Sequence, residues 1–284
     1  MAKFILSAFS DEYDPDFDTQ LEGAKLNGLT HIEIRNVNGK NISDHTLEEA
    51  KELKAKLDKA GIGVSSIGSP IGKINIEDPM EPHLVKLQNV IEIAKILEAK
   101  YIRMFSFYID KEKNPDDYRD EVMKRMKMML DVAKDSGVTL LHENEKGIYG
   151  DTVDRCVDLL EELKEYNLKA VFDPANFIQC DQETFPYGFD KLKDYTVYMH
   201  IKDCVEGGKV VPAGYGIGKI KEILVSLKER GYEGFLSLEP HLTNFVGFAA
   251  LEDSGAEAVD APALDGKEKF NIAVDSLKKI LAEI

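Results

Sequence analysis

Short apolar runs that end in ionisable side chains constrain the fold of this chain most. The run TVYMHIKD (196–203) begins with β-branched and aromatic residues and ends with three ionisable ones. Residues 140–143, 170–173 and 235–239 follow the same pattern, and each of these runs ends in a carboxylate. Buried parallel strands are apolar along their length, and their carboxyl ends meet at one edge of the sheet. The pattern therefore predicts a parallel sheet with a functional site at that edge.

Runs of this kind alternate with amphipathic helices along the whole chain. Strands that alternate with helices indicate βαβ units, and eight such units close into a (β/α)₈ barrel, an α/β fold. The alternative is a doubly wound open sheet, but no Gly-rich dinucleotide motif follows the first strand to support it. The predicted strands are residues 4–7, 31–35, 62–67, 101–105, 138–143, 169–173, 197–201 and 235–239.

The length of the chain favours one barrel domain that spans residues 1–284. A barrel commonly needs about 250 residues, and the chain has 284, of which 43% are hydrophobic. Residues 244–267, after the eighth strand, are long for a barrel loop. We expect a solvated surface excursion there rather than a lid.

The formal net charge of −16 argues against two classes of partner. A surface this acidic repels nucleic acid and anionic membranes, and no apolar window is long enough to span a bilayer. The three cysteines have no metal-ligand spacing, and the N-terminus shows no signal-peptide pattern. We therefore expect a reduced cytoplasmic enzyme that acts on a small molecule, as a monomer or a homo-oligomer.

Four polar side chains end the predicted strands five to eight. In a barrel these positions line one pocket, whichever helices lie between them. Three carboxylates and one imidazole suit one divalent cation, with Mn²⁺ the best match and Mg²⁺, Co²⁺ and Zn²⁺ as alternatives. A cation would also offset the repulsion between the crowded carboxylates. The predicted metal ligands are Glu143, Asp173, His200 and Glu239.

Four ordered motifs around these residues resemble the xylose isomerase-like family of sugar phosphate isomerases and epimerases. That family includes relatives of ketose 3-epimerases, hydroxypyruvate isomerase and inosose dehydratase. The resemblance implies a TIM barrel in which the four strand-end residues bind one divalent metal. It also implies that Glu143 and Glu239 act as a catalytic acid and base. The motifs are HENEKGIYGDT (142–152), FDPANF (172–177), HIKD (200–203) and LSLEP (236–240).

The implied chemistry is proton transfer next to a carbonyl group. The metal polarises the carbonyl oxygen, one glutamate removes the adjacent proton, and the cation stabilises the resulting enediolate. Return of the proton to the opposite face of the same carbon gives an epimer, and its return to the next carbon gives an isomer. The sequence does not choose between these outcomes.

Other functions are open to the same scaffold. An inosose dehydratase-like lyase would remove the same proton and expel a β-hydroxyl group. A sugar-binding or accessory protein would keep the fold without turnover. Endonuclease IV, a distant relative, is disfavoured by the negative charge and because strands three and four do not end in the extra histidines that three zinc ions need.

Substrate contacts are predicted near the same strand ends. Where many family members have histidine this chain has Asn176, and where some have histidine it has Glu145. Lys202 has the parity of His200 and either faces the pocket or pairs with Asp203 at the rim. The predicted binding residues for a sugar or sugar phosphate are Arg35, Arg103, Glu145, Lys146, Asn176, Lys202 and His241.

Two further features have structural as well as functional interpretations. His142 lies next to Glu143 on an alternating strand, so we expect it to point toward the helices and to be structural. The Gly-rich residues 213–218 precede a helix and either cradle a phosphate on backbone N–H groups or form a flexible loop.

Overall fold

Eight parallel strands form the central sheet of the computed structural model, which describes residues 2–241 and 265–284. Each strand lies at a predicted apolar run, so the strand predictions are confirmed. We number the strands in chain order. They are β1 Lys3–Ala8, β2 His31–Ile34, β3 Gly63–Ile71, β4 Tyr101–Met104, β5 Thr139–Glu143, β6 Lys169–Phe172, β7 Thr196–Ile201 and β8 Glu233–Leu238.

The strands follow one another around a nearly closed barrel. Their order in the sheet is β1-β8-β7-β6-β5-β4-β3-β2, which leaves one joint, between β1 and β2. At that joint a parallel bridge links Phe9 with Glu33. The predicted (β/α)₈ barrel is therefore confirmed, and the open doubly wound sheet is excluded.

Strand β3 departs most from its predicted bounds, because it continues to Ile71 instead of ending at residue 67. Gly68 and Pro70 are unusual inside a strand, and an irregularity in the pairing between Ile67 and Ile71 accommodates them. The Gly68 carbonyl oxygen accepts a hydrogen bond from Arg103 Nη2 at 3.3 Å. The irregular segment thus supports a side chain of the neighbouring strand β4.

The helices lie between the strands and bury their apolar faces against the barrel. Two of them begin with reciprocal capping boxes, Thr46 with Glu49 and Asp265 with Glu268, as their sequences dictate. No helix among the described residues has the length and apolar character needed to cross a membrane. The helices are Phe17–Leu26, Leu47–Ala60, Met80–Ile96, Arg119–Ala133, Val153–Glu162, Pro174–Gln179, Phe189–Leu192, Ile220–Glu229 and Gly266–Ala282.

Several short elements near the strand ends were not expected from the sequence. The helix Pro174–Gln179 directly follows β6, and Asp173 caps it through a hydrogen bond from the Asn176 backbone N–H. The two-residue strands Asp203–Cys204 and Val210–Val211 pair after β7. The predicted surface excursion at residues 244–267 falls largely outside the described residues, and it stays a prediction there.

Alternation along the strands decides which side chains enter the barrel. Leu141, Val171 and Tyr198 form a separate apolar cluster, and Glu143 has the parity of Leu141 on β5. His142 has the opposite parity, and its Nε2 lies 3.0 Å from Ser106 Oγ. Burial lowers the pKa of His142 to about 4. His142 thus points away from the side of β5 that carries Glu143, as its parity predicts, and its structural role stays a prediction.

The Gly-rich turn after β7 is organised by an internal carboxylate. Asp203 is fully buried, and it accepts hydrogen bonds from the backbone N–H groups of Gly214, Gly216, Gly218 and Cys204 at 2.9–3.1 Å. A Cβ atom at Gly216 would overlap Asp203 Oδ1, so the close approach requires glycine there. The structure favours the loop interpretation over a phosphate cradle, because these N–H groups already have an acceptor.

The Asp203 contacts predict a stability effect. Asp203→Asn replaces one accepting oxygen with an NH₂ group that faces backbone donors. We expect it to lower the free energy of unfolding by about 2 kcal/mol, the scale of hydrogen bonds to a charged acceptor. Urea denaturation checks this, with the exposed Glu206→Gln in the same loop as the control. Equal stability of the two variants would contradict this role of Asp203.

His83 ties the helix Met80–Ile96 to the turn after β3. It is 7% exposed, and its Nε2 accepts a hydrogen bond from the Gly72 backbone N–H at 2.8 Å. Burial, helped by Lys86, lowers the pKa of His83 to about 4. The neutral ring is therefore the form that the native state requires.

This histidine predicts a pH effect on stability. Because its pKa is lower in the folded than in the unfolded state, the unfolded chain binds the proton first as the pH falls. The contribution of His83 is complete above pH 6.5 and is lost toward pH 4, on the order of 3 kcal/mol. In His83→Gln the unfolding free energy should therefore fall less between pH 6.5 and pH 4, and the difference from wild type should be of this size. Parallel curves for wild type and variant, measured by urea denaturation between pH 4 and 7, would refute this assignment.

Candidate metal centre

The predicted ligands lie together at the carboxyl ends of four neighbouring strands. They come from the last residue of β5, the residue after β6, the penultimate residue of β7 and the residue after β8. Each is at most 3% exposed. Each offers one ligand atom, and these atoms lie within 4.8 Å of one another. The residues are Glu143, Asp173, His200 and Glu239.

The imidazole of His200 points its Nδ1 atom into this cluster. Nδ1 lies 2.8 Å from Glu143 Oε1, 3.5 Å from Glu239 Oε2 and 3.9 Å from Asp173 Oδ2. The capping bond to Asp173 Oδ1 fixes that side chain and directs its other oxygen at the cluster.

The cluster passes a test of fit for one divalent cation. Asp173 Oδ2 is buried, and the described residues offer it the charge of Lys202 Nζ at 3.1 Å but no hydrogen bond of good geometry, so it keeps lone pairs that a cation can take. Three carboxylates and one imidazole nitrogen are the ligand types that Mn²⁺, Mg²⁺, Co²⁺ and Zn²⁺ take in mixed oxygen and nitrogen sites. The four side chains therefore could hold a single cation.

Three basic side chains face the same carboxylates. Arg103 Nη1 lies 3.1 Å from Glu143 Oε2, and Arg35 Nη1 lies 3.1 Å from Glu239 Oε1. Lys202 Nζ lies 3.1 Å from Asp173 Oδ2 and 3.4 Å from Glu239 Oε2. Lys202 thus faces the pocket and does not pair with Asp203 at the rim.

These cations decide the charge state of the two glutamates. Burial alone would raise the pKa of Glu143, but His200 and Arg103 outweigh it and hold that pKa at about 2. Burial also opposes ionisation of Glu239, yet Lys202 and His241 keep its pKa well below the ordinary value. Both glutamates are therefore ionised at neutral pH and can bind a cation or accept a proton.

The pKa values of Asp173 and His200 are raised, in contrast to those of the two glutamates. Burial dominates at Asp173 and raises its pKa to about 6, although Lys202 partly opposes this. At His200, burial would lower the pKa, but Glu143 and Glu33 outweigh it and raise the pKa well above the usual value. The imidazole is thus held among carboxylates that favour a positive charge at its position.

Arg35 is enclosed by carboxylates. Its side chain is 1% exposed, with Nε 2.9 Å from Asp11 Oδ2 and Nη2 3.2 Å from Glu12 Oε1. Its guanidinium carbon lies 4.4 Å from the centre of the Phe9 ring. Asp11, Glu12 and Phe9 therefore hold the guanidinium group in place where it contacts Glu239.

Two other predicted substrate residues also contact the cluster. Asn176 Nδ2 donates to Glu143 Oε1 at 3.3 Å and to the Asn144 carbonyl oxygen at 2.9 Å. His241 Nε2 lies 3.0 Å from Glu239 Oε1. Both side chains are close enough to orient a glutamate.

Glu145 and Lys146 lie at the rim instead. Glu145 Oε2 pairs with Lys73 Nζ at 3.2 Å, and Lys146 Nζ donates to Gln179 Oε1 at 3.4 Å. Both residues line a cavity of about 890 Å³ together with Tyr108. Their place next to a cavity of this size keeps them candidates for contact with the distal part of a substrate.

Four residues of the centre were missed from the sequence. The missed ones include Glu33, whose Oε2 lies 3.2 Å from His200 Nε2. A carboxylate inside the apolar run HIEI, two residues before Arg35, could have indicated it. Asp11 and Glu12 lie three and four residues after β1, in the short 3₁₀ helix Ser10–Glu12. The Asn144 side chain accepts a hydrogen bond from the Asp173 backbone N–H and donates one to the Asp173 carbonyl oxygen.

Comparisons with known structures agree with this architecture. The D-allulose 3-epimerase from Methylomonas sp., in complex with D-allulose, is 15% identical, with a TM-score of 0.74 over 100% of this chain and 98% of that one. The IolI protein, in a structure with a zinc atom, is 16% identical, with a TM-score of 0.74 over 99% and 98% of the chains. The probable 3-DHS dehydratase AsbF from Bacillus anthracis is 18% identical, with a TM-score of 0.73 over 98% and 99%.

At these identities the solved structures establish the fold, and no curated protein matches the sequence. A family model described as the xylose isomerase-like TIM barrel matches residues 21–279. That match covers all four candidate ligands and strands β2 to β8. The chain therefore belongs to the xylose isomerase-like TIM barrel family.

Proposed function

We propose that this protein is a metal-dependent sugar or sugar-phosphate isomerase or epimerase. The observation that supports it is the buried cluster of three carboxylates and one imidazole, with a ligand atom from each within 4.8 Å of the others. When bound there, a divalent cation would polarise a substrate carbonyl group and offset negative charge that develops on its oxygen. The solved structures of an epimerase with D-allulose and of IolI with zinc support the same class of substrate and cofactor.

The paired glutamates would move the proton. Both are ionised at neutral pH, so either carboxylate can accept a proton from the carbon next to the carbonyl group. The glutamate that took the proton can return it to the next carbon, which gives an isomer. For an epimer, the other glutamate must first take a proton from solvent and then deliver it to the opposite face of the same carbon. Two carboxylates in one cluster, from the ends of β5 and β8, serve both epimerisation and isomerisation.

The arginines and Lys202 would keep this pair in place. Arg103 holds Glu143 and Arg35 holds Glu239, each at 3.1 Å. Fixed hydrogen bonds of this kind limit the rotamers of a catalytic carboxylate and keep its reacting oxygen aligned.

A dehydratase is a second candidate, and one observation favours it. Lys202 places an ammonium group 3.4 Å from Glu239 Oε2, where it could donate a proton to a departing hydroxyl group. The similarity to the probable 3-DHS dehydratase AsbF is compatible with this chemistry. The two candidates share the first proton transfer and differ in the product.

The acid and base roles predict that variants of the two glutamates lose the exchange of a substrate hydrogen with solvent. Wild-type protein, incubated with Mn²⁺ and a panel of ketoses, ketose phosphates and inososes in deuterated water, should place deuterium next to the carbonyl group of one substrate. Glu143→Gln and Glu239→Gln should each slow this exchange about 10²- to 10⁴-fold, because the amide cannot accept the proton. Mass spectrometry and NMR of the product give the readout.

The control for these variants is Glu233→Gln, an exposed glutamate at the opposite end of β8, which should exchange at the wild-type rate. Deuterium in an intact sugar supports the isomerase or epimerase, whereas loss of water supports the dehydratase. Wild-type rates in both active-site variants would exclude the paired-glutamate mechanism.

Metal content gives an independent prediction. Protein dialysed against Mn²⁺ and then against buffer should retain about one ion per chain, since the cluster provides one set of four ligands. Chelation should abolish exchange, and Mn²⁺ should restore it better than Mg²⁺, Co²⁺ or Zn²⁺. Asp173→Asn should weaken retention without unfolding the protein. Absence of bound metal in the wild type would favour a non-catalytic sugar-binding protein.

A further inference from the structure

We propose that Glu33 is a positioning residue, which sets the orientation and tautomer of the candidate metal ligand His200. This inference rests on the proposed metal-dependent function. Glu33 lies in the middle of β2, across the barrel from His200 on β7, and it is fully buried.

The two ring nitrogens of His200 have separate partners. Nδ1 faces the candidate ligands, with Glu143 Oε1 at 2.8 Å. Nε2 faces away from them, with Glu33 Oε2 at 3.2 Å. The ring is also held by an edge contact to Phe9, whose ring centre lies 5.2 Å away. The imidazole therefore points one nitrogen at the cluster and the other at Glu33.

A bound cation would select one tautomer. Both ring nitrogens face carboxylates, Nδ1 at 2.8 Å and Nε2 at 3.2 Å, so without a cation the ring can donate from either nitrogen. A cation in the cluster would take the lone pair of Nδ1, and the hydrogen of the neutral ring then belongs on Nε2, where Glu33 accepts it. Nδ1 then carries the lone pair and is the nitrogen able to bind a cation. Histidines that bind metals commonly donate their other N–H to a carboxylate in this way, which fixes the ring and makes it a stronger ligand.

The surroundings of Glu33 fit this role better than a purely structural one. Among the described residues, the side-chain hydrogen bonds of Glu33 are those with His200 and with the Tyr198 hydroxyl group, the latter at 2.9 Å. Its second oxygen, Oε1, is buried and accepts none. A buried carboxylate with an unsatisfied oxygen is costly unless it faces a group that carries positive charge. His200, once it binds a cation, is such a group.

A polar chain behind Glu33 fixes its position in turn. Tyr198 OH lies 2.8 Å from Ser65 Oγ, and Ser65 Oγ lies 2.7 Å from Ser7 Oγ. The chain links β7, β3 and β1 through the barrel interior. Ser7 is at its far end and touches neither Glu33 nor His200 in the bonds of this chain, so it offers a matched control.

The experiment measures metal affinity rather than turnover. Glu33→Gln keeps the shape and removes the charge, and Glu33→Ala removes the acceptor as well. The dissociation constant for Mn²⁺ is measured by competition with a chelator, and Co²⁺ absorption reports the ligand geometry. We expect a weakening of about 10-fold for Glu33→Gln and up to about 100-fold for Glu33→Ala. Ser7→Ala should stay within about threefold of wild type.

A second measurement reports the tautomer directly. The ¹⁵N shifts of His200 in the Mg²⁺-loaded protein should show the hydrogen on Nε2 in the wild type. In Glu33→Ala the His200 signals should move toward a mixture of tautomers, which a merely structural effect on folding would not produce.

The outcomes separate this inference from the proposed function. If wild-type protein binds no divalent metal, the proposed function fails together with it. If the wild type binds Mn²⁺ and folded Glu33→Gln binds it within threefold of wild type with an unchanged Co²⁺ spectrum, the role of Glu33 alone is excluded. Should Glu33→Ala fail to fold, the isosteric Glu33→Gln variant decides the question.

Discussion

The centre of this barrel depends on balancing buried negative charge. Three carboxylates meet at the carboxyl ends of β5, β6 and β8, and each would resist ionisation if burial acted alone. Two arginines, a lysine and a histidine come from other strands to offset that cost. Because an unpaired buried charge is strongly destabilising, this end of the fold needs every one of these cations, and a bound metal would share the same task.

Much of this arrangement could be predicted from the sequence. Short apolar runs and the helices between them specified eight strands, and a closed ring of strands places consecutive strand ends side by side. That reasoning brought Glu143, Asp173, His200 and Glu239 together without any knowledge of their contacts. For Lys202 the parity with His200 left two positions open, the pocket or a pair with Asp203 at the rim, and its contacts with Asp173 and Glu239 place it in the pocket.

Other features could not be predicted because they depend on contacts across the barrel. A carboxylate in the run HIEI could equally face solvent, and only closure of the barrel brings Glu33 to His200. Arg35 was expected to contact substrate, whereas in the folded chain its guanidinium is engaged by Asp11, Glu12 and Glu239. Whether an arginine meets an internal carboxylate or a ligand is decided by packing distances that a linear pattern does not contain.

The joint between β1 and β2 couples the fold to the chemistry. Every other neighbouring pair of strands has a ladder of backbone partners, but here a bridge between Phe9 and Glu33 is supplemented by the ion pair of Asp11 with Arg35. A transient opening of the barrel would lose the fewest backbone hydrogen bonds at this place. The same opening would pull Arg35 away from Glu239 and Glu33 away from His200. Opening of the barrel at this joint and loss of order at Glu239 and His200 would then occur together.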